Sequence, residues 1–120
     1  MERKMERADI AIIGTGPGGV SAALTAKVRN KNILLIGKKQ MSDKVSKAHQ
    51  IMNYPGLPAV TGADMAKAFE KQLAMMEIDI TDSRIGTVYA MGDYFAIQAG
   101  GEVLEAKSVI SVSYTHLTLP

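Results

Sequence analysis

The 120-residue sequence contains no cysteine and no tryptophan. Without cysteine, these residues encode no disulfide, no thiolate nucleophile and no cysteine-ligated metal site. No apolar run approaches the roughly 18 residues that a membrane-spanning helix needs, and the charged N-terminus lacks the apolar core of a signal peptide. These absences predict a soluble, cytoplasmic protein without a membrane partner.

Excess charge of one sign is also missing, since 14 Lys and Arg face 12 Asp and Glu, a net charge of +2. The basic residues are scattered along the chain, so we predict no nucleic-acid partner. The histidines, His49 and His116, stand alone, and the aspartates are not spaced as a catalytic pair or a metal site. We therefore predict no catalytic side chain and no metal ligand in this chain.

The first part of the chain has the pattern of a βαβ unit. Residues 8–13 form a short apolar run that leads into glycine, which predicts a strand buried on both faces. Helical spacing follows over residues 17–29, and residues 32–36 predict a second buried strand. The predicted apolar face of the helix consists of Val20, Ala23, Leu24 and Val28.

The remainder combines a loop, a helix and short strands. Residues 38–61 have no clean period and predict a loop, after which Thr61 and Asp64 form a Thr-x-x-Asp capping box for a helix to about Met76. Strands are predicted at 78–80, 86–91, 94–98, 102–105 and 107–112, with glycine turns between them. The predicted fold class is α/β, a Rossmann-like, doubly wound parallel sheet with a small antiparallel β-meander.

The motif that carries chemistry is Gly14-Thr15-Gly16-Pro17-Gly18-Gly19, a Gly-x-Gly-x-x-Gly loop between strand and helix. Gly14 permits the tight turn, Gly16 lets the backbone approach a pyrophosphate, and Gly19 lets the helix pack closely on the sheet. Pro17 suits the first helical turn. A glycine-rich turn that binds nothing is the alternative, but the strand–turn–helix–strand context favours a dinucleotide site.

The end of the second strand leaves the choice of dinucleotide open. An acid that binds the ribose hydroxyls of NAD is expected about twenty residues after the motif. That position is Gly37, followed by Lys38 and Lys39. The two lysines are compatible with the 2′-phosphate of NADP, and equally with a solvated turn.

Beyond this motif, the sequence resembles the FAD domain of bacterial thioredoxin reductases and their relatives over about residues 8–110. The resemblance is carried by Ile12–Gly19, by Leu35-Ile36-Gly37, and by Asn53-Tyr54-Pro55-Gly56-Leu57-Pro58 followed by Thr61-Gly62. Some members of this family have glycine after the second strand, so Gly37 is compatible with it.

The resemblance implies an FAD site with an assignment for each part. The pyrophosphate lies over the glycine loop, Gly14 to Gly19, and the adenosine lies near Gly37 and Lys38. Asn53 approaches the flavin end, and the backbone around Arg84–Ile85 lies near the adenine. In the parent protein, NAD(P)H reduces FAD, and a thioredoxin-like protein or another acceptor takes the electrons. A homodimeric parent is compatible with the family.

Two segments depart from the family. Ser42-Asp43-Lys44-Val45 stands where members usually have Gly-Gly-Gln-Leu, and SVSYTHLTLP replaces a strand end in Ala-Thr-Gly. The latter string looks like a translated sequencing adapter, so we predict a partial FAD domain at 1–110 and a non-native tail at 111–120. The family's redox cysteine pair and nicotinamide domain are not encoded here. An NADP-binding dehydrogenase domain and a non-catalytic flavin-binding fragment remain open alternatives.

Overall fold

The computed structural model describes residues 7–39 and 50–112, and within them it has two helices and six strands. Their order matches the sequence prediction of a βαβ unit followed by a helix and β-structure. The elements are β1 Ala8–Ile13, α1 Pro17–Val28, β2 Ile33–Gly37, α2 Gly62–Met75, β3 Ile80–Asp82, β4 Ile85–Ala90, β5 Phe95–Ala99 and β6 Glu102–Ser111.

The strands form one mixed sheet in the order β3-β2-β1-β6-β5-β4. The first four are mutually parallel, and β5 and β4 extend the sheet in antiparallel fashion. Parallel strands joined through helices are the arrangement of an α/β domain. The predicted fold class, a Rossmann-like parallel sheet with an antiparallel meander, is thereby confirmed.

A single strand, β6, connects the parallel sheet to the meander. The sequence predicted two strands here, at 102–105 and 107–112, but the chain continues through Ala106 without a turn. Ala106 pairs with Phe95 of β5 and with Ala8 of β1, so β6 belongs to both halves of the sheet. The break was predicted from a weak alternation of apolar residues, and backbone pairing on both sides overrides it.

The two faces of the parallel sheet are covered differently. Leu35 of β2 faces α1 and α2, in a cluster with Ile12 and Phe69. The next residue, Ile36, faces a second cluster that includes Ile97 of the meander. Within the described residues both helices therefore pack on one face, and the meander covers the other.

The buried face of α1 differs from the predicted one. Val20 and Ala23 are buried as predicted, but Val28 is 70% exposed and Ala26 is buried instead. Val28 is the last residue of α1, and the small side chain of Ala26 packs in the interior in its place. Leu24, also on the predicted face, is partly buried against the same cluster.

The C-terminal end of α2 explains why β3 begins later than predicted. After α2, Glu77 adopts a positive φ of 57°, its N–H donates to the Ala74 carbonyl, and the Ile78 N–H donates to the Leu73 carbonyl. This is the Schellman pattern, which requires one residue in the left-handed conformation. Ile78, predicted as strand, is thus a buried residue of the helix cap, and β3 starts at Ile80.

The closest contact between helix and strand lies where α1 begins. A β-carbon built on Gly19 would lie 1.8 Å from the carbonyl oxygen of Gly14, far inside van der Waals contact. No other residue type fits at position 19 without moving α1 away from β1. The predicted role of Gly19 in close packing matches this geometry.

Gly19→Ala is therefore expected to destabilise the fold by about 1–3 kcal/mol, the usual cost of forcing an extra carbon into a packed site. Gly16→Ala is the matched control, because a β-carbon there meets nothing within 4 Å. Urea unfolding followed by circular dichroism would measure both. Equal stability of the two variants would contradict the packing argument.

The opposite end of the sheet is held by Asp9. Its carboxylate accepts a hydrogen bond from the Asn32 backbone N–H at 2.9 Å and lies 3.5 Å from Lys107 Nζ. The Ser108 hydroxyl donates to the Asp9 carbonyl oxygen. The Asn32 N–H, and secondly the charge of Lys107, lower the pKa of Asp9. This carboxylate links the beginnings of β1 and β2 to β6.

A lowered pKa makes the contribution of Asp9 to stability depend on pH. The contribution is complete above the unfolded-state pKa of about 3.9, and it is lost as the pH falls from there through the folded-state value. Asp9→Asn is thus expected to be less stable than the wild type at pH 7, with a difference that shrinks below about pH 4. Unfolding at pH 7 and pH 3 tests this, with exposed Asp79→Asn as the control. A pH-independent difference would contradict it.

Candidate dinucleotide-binding site

Four parallel strands end at the same edge of the sheet. Ile13 of β1 is aligned with Ile36 of β2 and with Ser111 of β6, and Gly37 is aligned with Asp82 of β3. Ligands of open α/β sheets bind outside the carboxyl ends of such strands. The glycine loop leaves β1 at this edge, so the candidate site is centred there.

The glycine loop is a short, tightly bonded turn. The Gly14 N–H donates to the Ile36 carbonyl at 2.9 Å, and Gly14 has a φ of +120°, which side chains rarely tolerate. Gly16 is the N-cap residue of α1, and its carbonyl accepts from the Val20 N–H at 3.0 Å. The chain thus turns from strand to helix within three residues, and α1 starts directly above the sheet edge.

The two helix N-termini differ in how their N–H groups are satisfied. At α2 the Thr61 hydroxyl accepts from the Asp64 N–H at 3.1 Å, as the predicted capping box requires. At α1 no side chain caps the helix, and no acidic residue lies in the first turn. Among the described residues, the N–H groups of Gly18 and Gly19 have no acceptor. An uncapped N-terminus with its partial positive charge favours an anionic ligand.

The loop leaves room for such an anion. A β-carbon on Gly16 would meet nothing within 4 Å, and one on Gly18 would meet only Val112, at 3.7 Å or more. The backbone of the loop is therefore open on the side where a ligand must approach. The pyrophosphate of a dinucleotide fits these residues in both charge and space.

The end of β2 is bonded to the glycine loop and to the chain after β3. The Thr15 hydroxyl donates to the Lys38 carbonyl at 2.7 Å, and the Ser83 N–H donates to the Gly37 carbonyl at 3.3 Å. Lys38 and the following Lys39 are exposed. Thr15, Gly37 and Lys38, all predicted site residues, are thus brought together.

Ile85 sits at the start of β4, and its side chain is buried in the core of the meander. Only its backbone is available to a ligand, which is the part that the resemblance implicates. The preceding residues connect it to the sheet edge, since Asp82 pairs with Gly37 and Ser83 bonds to it. The assignment of this segment to the adenine stays a prediction.

Asn53 lies in a separate loop that packs on α2. Ile51 and Val60 close this loop through a pair of backbone hydrogen bonds, and the Tyr54 ring packs against Phe69 with 5.3 Å between centroids. Asn53 itself is exposed, and the contacts that hold the loop run to α2 rather than to the glycine loop. Its assignment to the flavin end also stays a prediction.

Val112 is a site residue that the sequence prediction missed. Its N–H donates to the Ile13 carbonyl at 2.9 Å, so the chain follows β1 to the glycine loop. Its Cγ2 atom would lie 3.1 Å from a β-carbon on Gly14 and 3.3 Å from one on Gly19. A strand was predicted at 107–112, but its pairing with β1 was not, so the sequence did not place its end at this edge. The predicted non-native tail begins at residue 111, and its residues 113–120 lie outside the described part.

The surface shows two open grooves near the loop. A small one lies between the loop and α2, with polar lining from Thr15, Lys39 and Glu70. The other, of about 790 Å³, runs along α1 from Gly18 towards Arg29 and is mostly apolar. The groove along α1 leads away from the strand ends. The candidate nucleotide site is therefore the loop together with the small groove beside α2.

The described residues hold neither a metal-binding cluster nor a membrane-spanning helix. Within residues 7–39 and 50–112, no three acidic or histidine side chains gather as they would around a metal ion. In the same residues neither helix has the length and apolar character to cross a membrane. Both histidines of the sequence, His49 and His116, lie outside the described residues. The segment Ser42–Val45 lies outside them as well.

Comparison with protein families gives one match that covers most of the chain. The family model described as glucose inhibited division protein A matches residues 9–103. Among curated proteins, a thioredoxin reductase of Helicobacter pylori is 36% identical over 105 residues, which is 85% of this chain and 34% of that protein. A 34.2 kDa protein in the rubredoxin operon of Clostridium pasteurianum is 26% identical over 109 residues.

Solved structures agree with the sequence matches. A ferredoxin-flavin thioredoxin reductase from Clostridium acetobutylicum superposes with a TM-score of 0.86 at 42% identity, over 93% of this chain and 40% of that one. A thioredoxin reductase from Streptococcus pyogenes superposes with a TM-score of 0.80 at 27% identity, over 95% and 38% of the two chains.

This chain spans about a third of the length of the curated relatives that it matches, 34% of the Helicobacter protein and 35% of the Clostridium protein. The matched part begins in β1, includes the glycine loop, both helices, β4 and β5, and ends in the first residues of β6. The chain therefore belongs to the glucose inhibited division protein A family, and its fold is that of the FAD domain of thioredoxin reductase-like flavoproteins.

Proposed function

We propose that this chain is the FAD-binding portion of a flavoprotein oxidoreductase of the thioredoxin reductase type. One observation carries the proposal: α1 begins uncapped at the sheet edge, and Gly16 leaves open space in front of its N–H groups. A pyrophosphate satisfies those groups and the positive end of the helix together. The matches to thioredoxin reductases support FAD as the dinucleotide.

Each predicted site residue has a place in this proposal. The loop from Gly14 to Gly19 binds the pyrophosphate through its backbone. The end of β2, at Gly37 and Lys38, binds the adenosine ribose, and the backbone at Ile85 contacts the adenine. Asn53 contacts the flavin end. The chain's own residues bind and orient the cofactor, and none acts as a catalytic side chain.

In the whole protein, FAD would supply the redox chemistry, and the residues named above would hold and orient it. We propose NAD(P)H as the electron donor and a disulfide, such as that of a thioredoxin-like protein, as the acceptor. A nicotinamide domain and a redox-active cysteine pair complete such an enzyme. We further propose that it works in the cytoplasm as a homodimer.

Gly16→Val tests the cofactor site. Valine at this position leaves the fold intact, because its β-carbon meets nothing, but its methyl groups occupy the space of the pyrophosphate. FAD affinity is expected to fall at least about tenfold, since the second glycine of the motif permits that approach. Gly101→Val is the matched control, because it too meets nothing within 4 Å and lies in the β5–β6 turn.

Flavin absorbance that co-elutes with the purified chain after gel filtration measures this binding. Retention of FAD by the wild type and by Gly101→Val, with loss in Gly16→Val, supports the proposal. A folded wild-type chain that stays colourless and binds NADP instead overturns it. That outcome favours the dehydrogenase alternative, in which the exposed Lys38 and Lys39 bind the 2′-phosphate.

A second candidate concerns the electron donor. The structure from Clostridium acetobutylicum with 42% identity is described as a ferredoxin-flavin thioredoxin reductase. The alternative function is therefore a flavoprotein whose FAD is reduced by ferredoxin instead of NAD(P)H. The Gly-x-Gly-x-x-Gly loop serves the FAD in both cases and does not distinguish them.

Anaerobic reduction of the whole flavoprotein separates the two donors. With NAD(P)H as the donor, the flavin absorbance is expected to bleach when a stoichiometric amount of NADPH or NADH is added. Bleaching by reduced ferredoxin alone, with neither nicotinamide effective, would contradict the first proposal and support the second. Dithionite serves as the control that the bound flavin is reducible.

A further inference from the structure

Thr15 lies so close to Gly37 that it limits which side chain can stand at position 37. A β-carbon built on Gly37 would lie 2.8 Å from Thr15 Cγ2, 3.1 Å from Thr15 Oγ1 and 3.3 Å from the Thr15 nitrogen. The same Thr15 hydroxyl donates to the Lys38 carbonyl at 2.7 Å, which fixes its rotamer. Thr15 therefore occupies the space that a side chain at position 37 would need.

Position 37 is where dinucleotide sites of this type carry the acid that binds the ribose hydroxyls. With Thr15 in its observed rotamer, the β-carbon of an aspartate or glutamate there would overlap the Thr15 side chain, so an acid fits only if that side chain moves. The first side chains after the strand are instead Lys38 and Lys39, both exposed. The charge presented to the 2′ position of the ribose is thus positive, where an acid would make it negative.

We propose that Thr15 and Gly37 form the specificity-determining pair of this site. By excluding a carboxylate, they leave the ribose to backbone groups and to the two lysines, so that the site does not discriminate against a 2′-phosphate on the adenosine. This inference rests on the proposed dinucleotide function. It assigns to Thr15 a positioning role that the glycine motif alone does not give it.

The size of the effect follows from exposure. Exposed lysines attract a phosphate only modestly, and salt screens the attraction, so the preference for a 2′-phosphate should stay within about tenfold. A carboxylate at position 37 would instead favour the ribose without a 2′-phosphate, for two reasons. It accepts hydrogen bonds from the ribose hydroxyls, and it repels a phosphate placed at the same atom.

Competition with bound FAD measures the specificity. The probes are ADP-ribose and 2′-phospho-ADP-ribose, and the readout is the return of flavin fluorescence as FAD is displaced. For the wild type, the two probes are expected to compete with constants within about tenfold of each other. For the double variant Thr15→Ala/Gly37→Glu, the phosphorylated probe is expected to weaken at least about tenfold relative to ADP-ribose. Gly101→Val, in the β5–β6 turn away from this site, serves as the control with wild-type specificity.

A stability cycle with milder variants tests the steric coupling separately. Gly37→Ala is expected to lower the melting temperature by roughly 5 °C or more when Thr15 is present, because its β-carbon meets Thr15 Cγ2 and Oγ1. In the Thr15→Ala background the loss should be clearly smaller, since both atoms are gone. Equal losses in the two backgrounds would show that Thr15 does not limit position 37.

The outcomes separate this inference from the function on which it rests. A wild type that binds FAD and ADP-ribose but rejects the phosphorylated probe by more than about tenfold overturns the inference alone. A double variant that binds both probes in the wild-type ratio also overturns it. A folded wild type that binds neither FAD nor either probe overturns the proposed function itself.

Discussion

The contact between Gly19 and the Gly14 carbonyl is the constraint on which the site depends. With 1.8 Å between that oxygen and a notional β-carbon, α1 can start directly on the end of β1 only if position 19 is glycine. Close packing at this point aims the free N–H groups of the first helical turn at the sheet edge. The proposed anion site is thus a consequence of how tightly a helix and a strand pack.

The strand β6 transmits the same constraint to the far side of the sheet. It pairs with β5 at its beginning and with β1 at its end, and the chain beyond it places Val112 against the glycine loop. The meander is therefore more than an appended hairpin. The residue that follows its last strand, Val112, lies against the glycine loop, and β5 contributes core residues such as Ile97 to the second face of the sheet.

Local patterns predicted most of the fold, and the site residues drawn from them stay predictions. The βαβ unit, the Thr61 cap and the three meander strands follow from residue spacing and turn chemistry. One residue on the predicted buried face of α1 was wrong: Val28 is more apolar than Ala26, but it is exposed and Ala26 is buried. Val112 was missed because its place depends on strand register between segments a hundred residues apart, which no local pattern contains.

The end of β2 shows how a motif can mislead when its residues are considered one at a time. A glycine in place of the ribose-binding acid, viewed alone, is a missing feature. Viewed with Thr15, it is one half of a pair, since the threonine needs the glycine for its space and holds the following carbonyl in return. A carboxylate at position 37 therefore calls for a change at position 15 as well, because the Thr15 side chain occupies the space of its β-carbon.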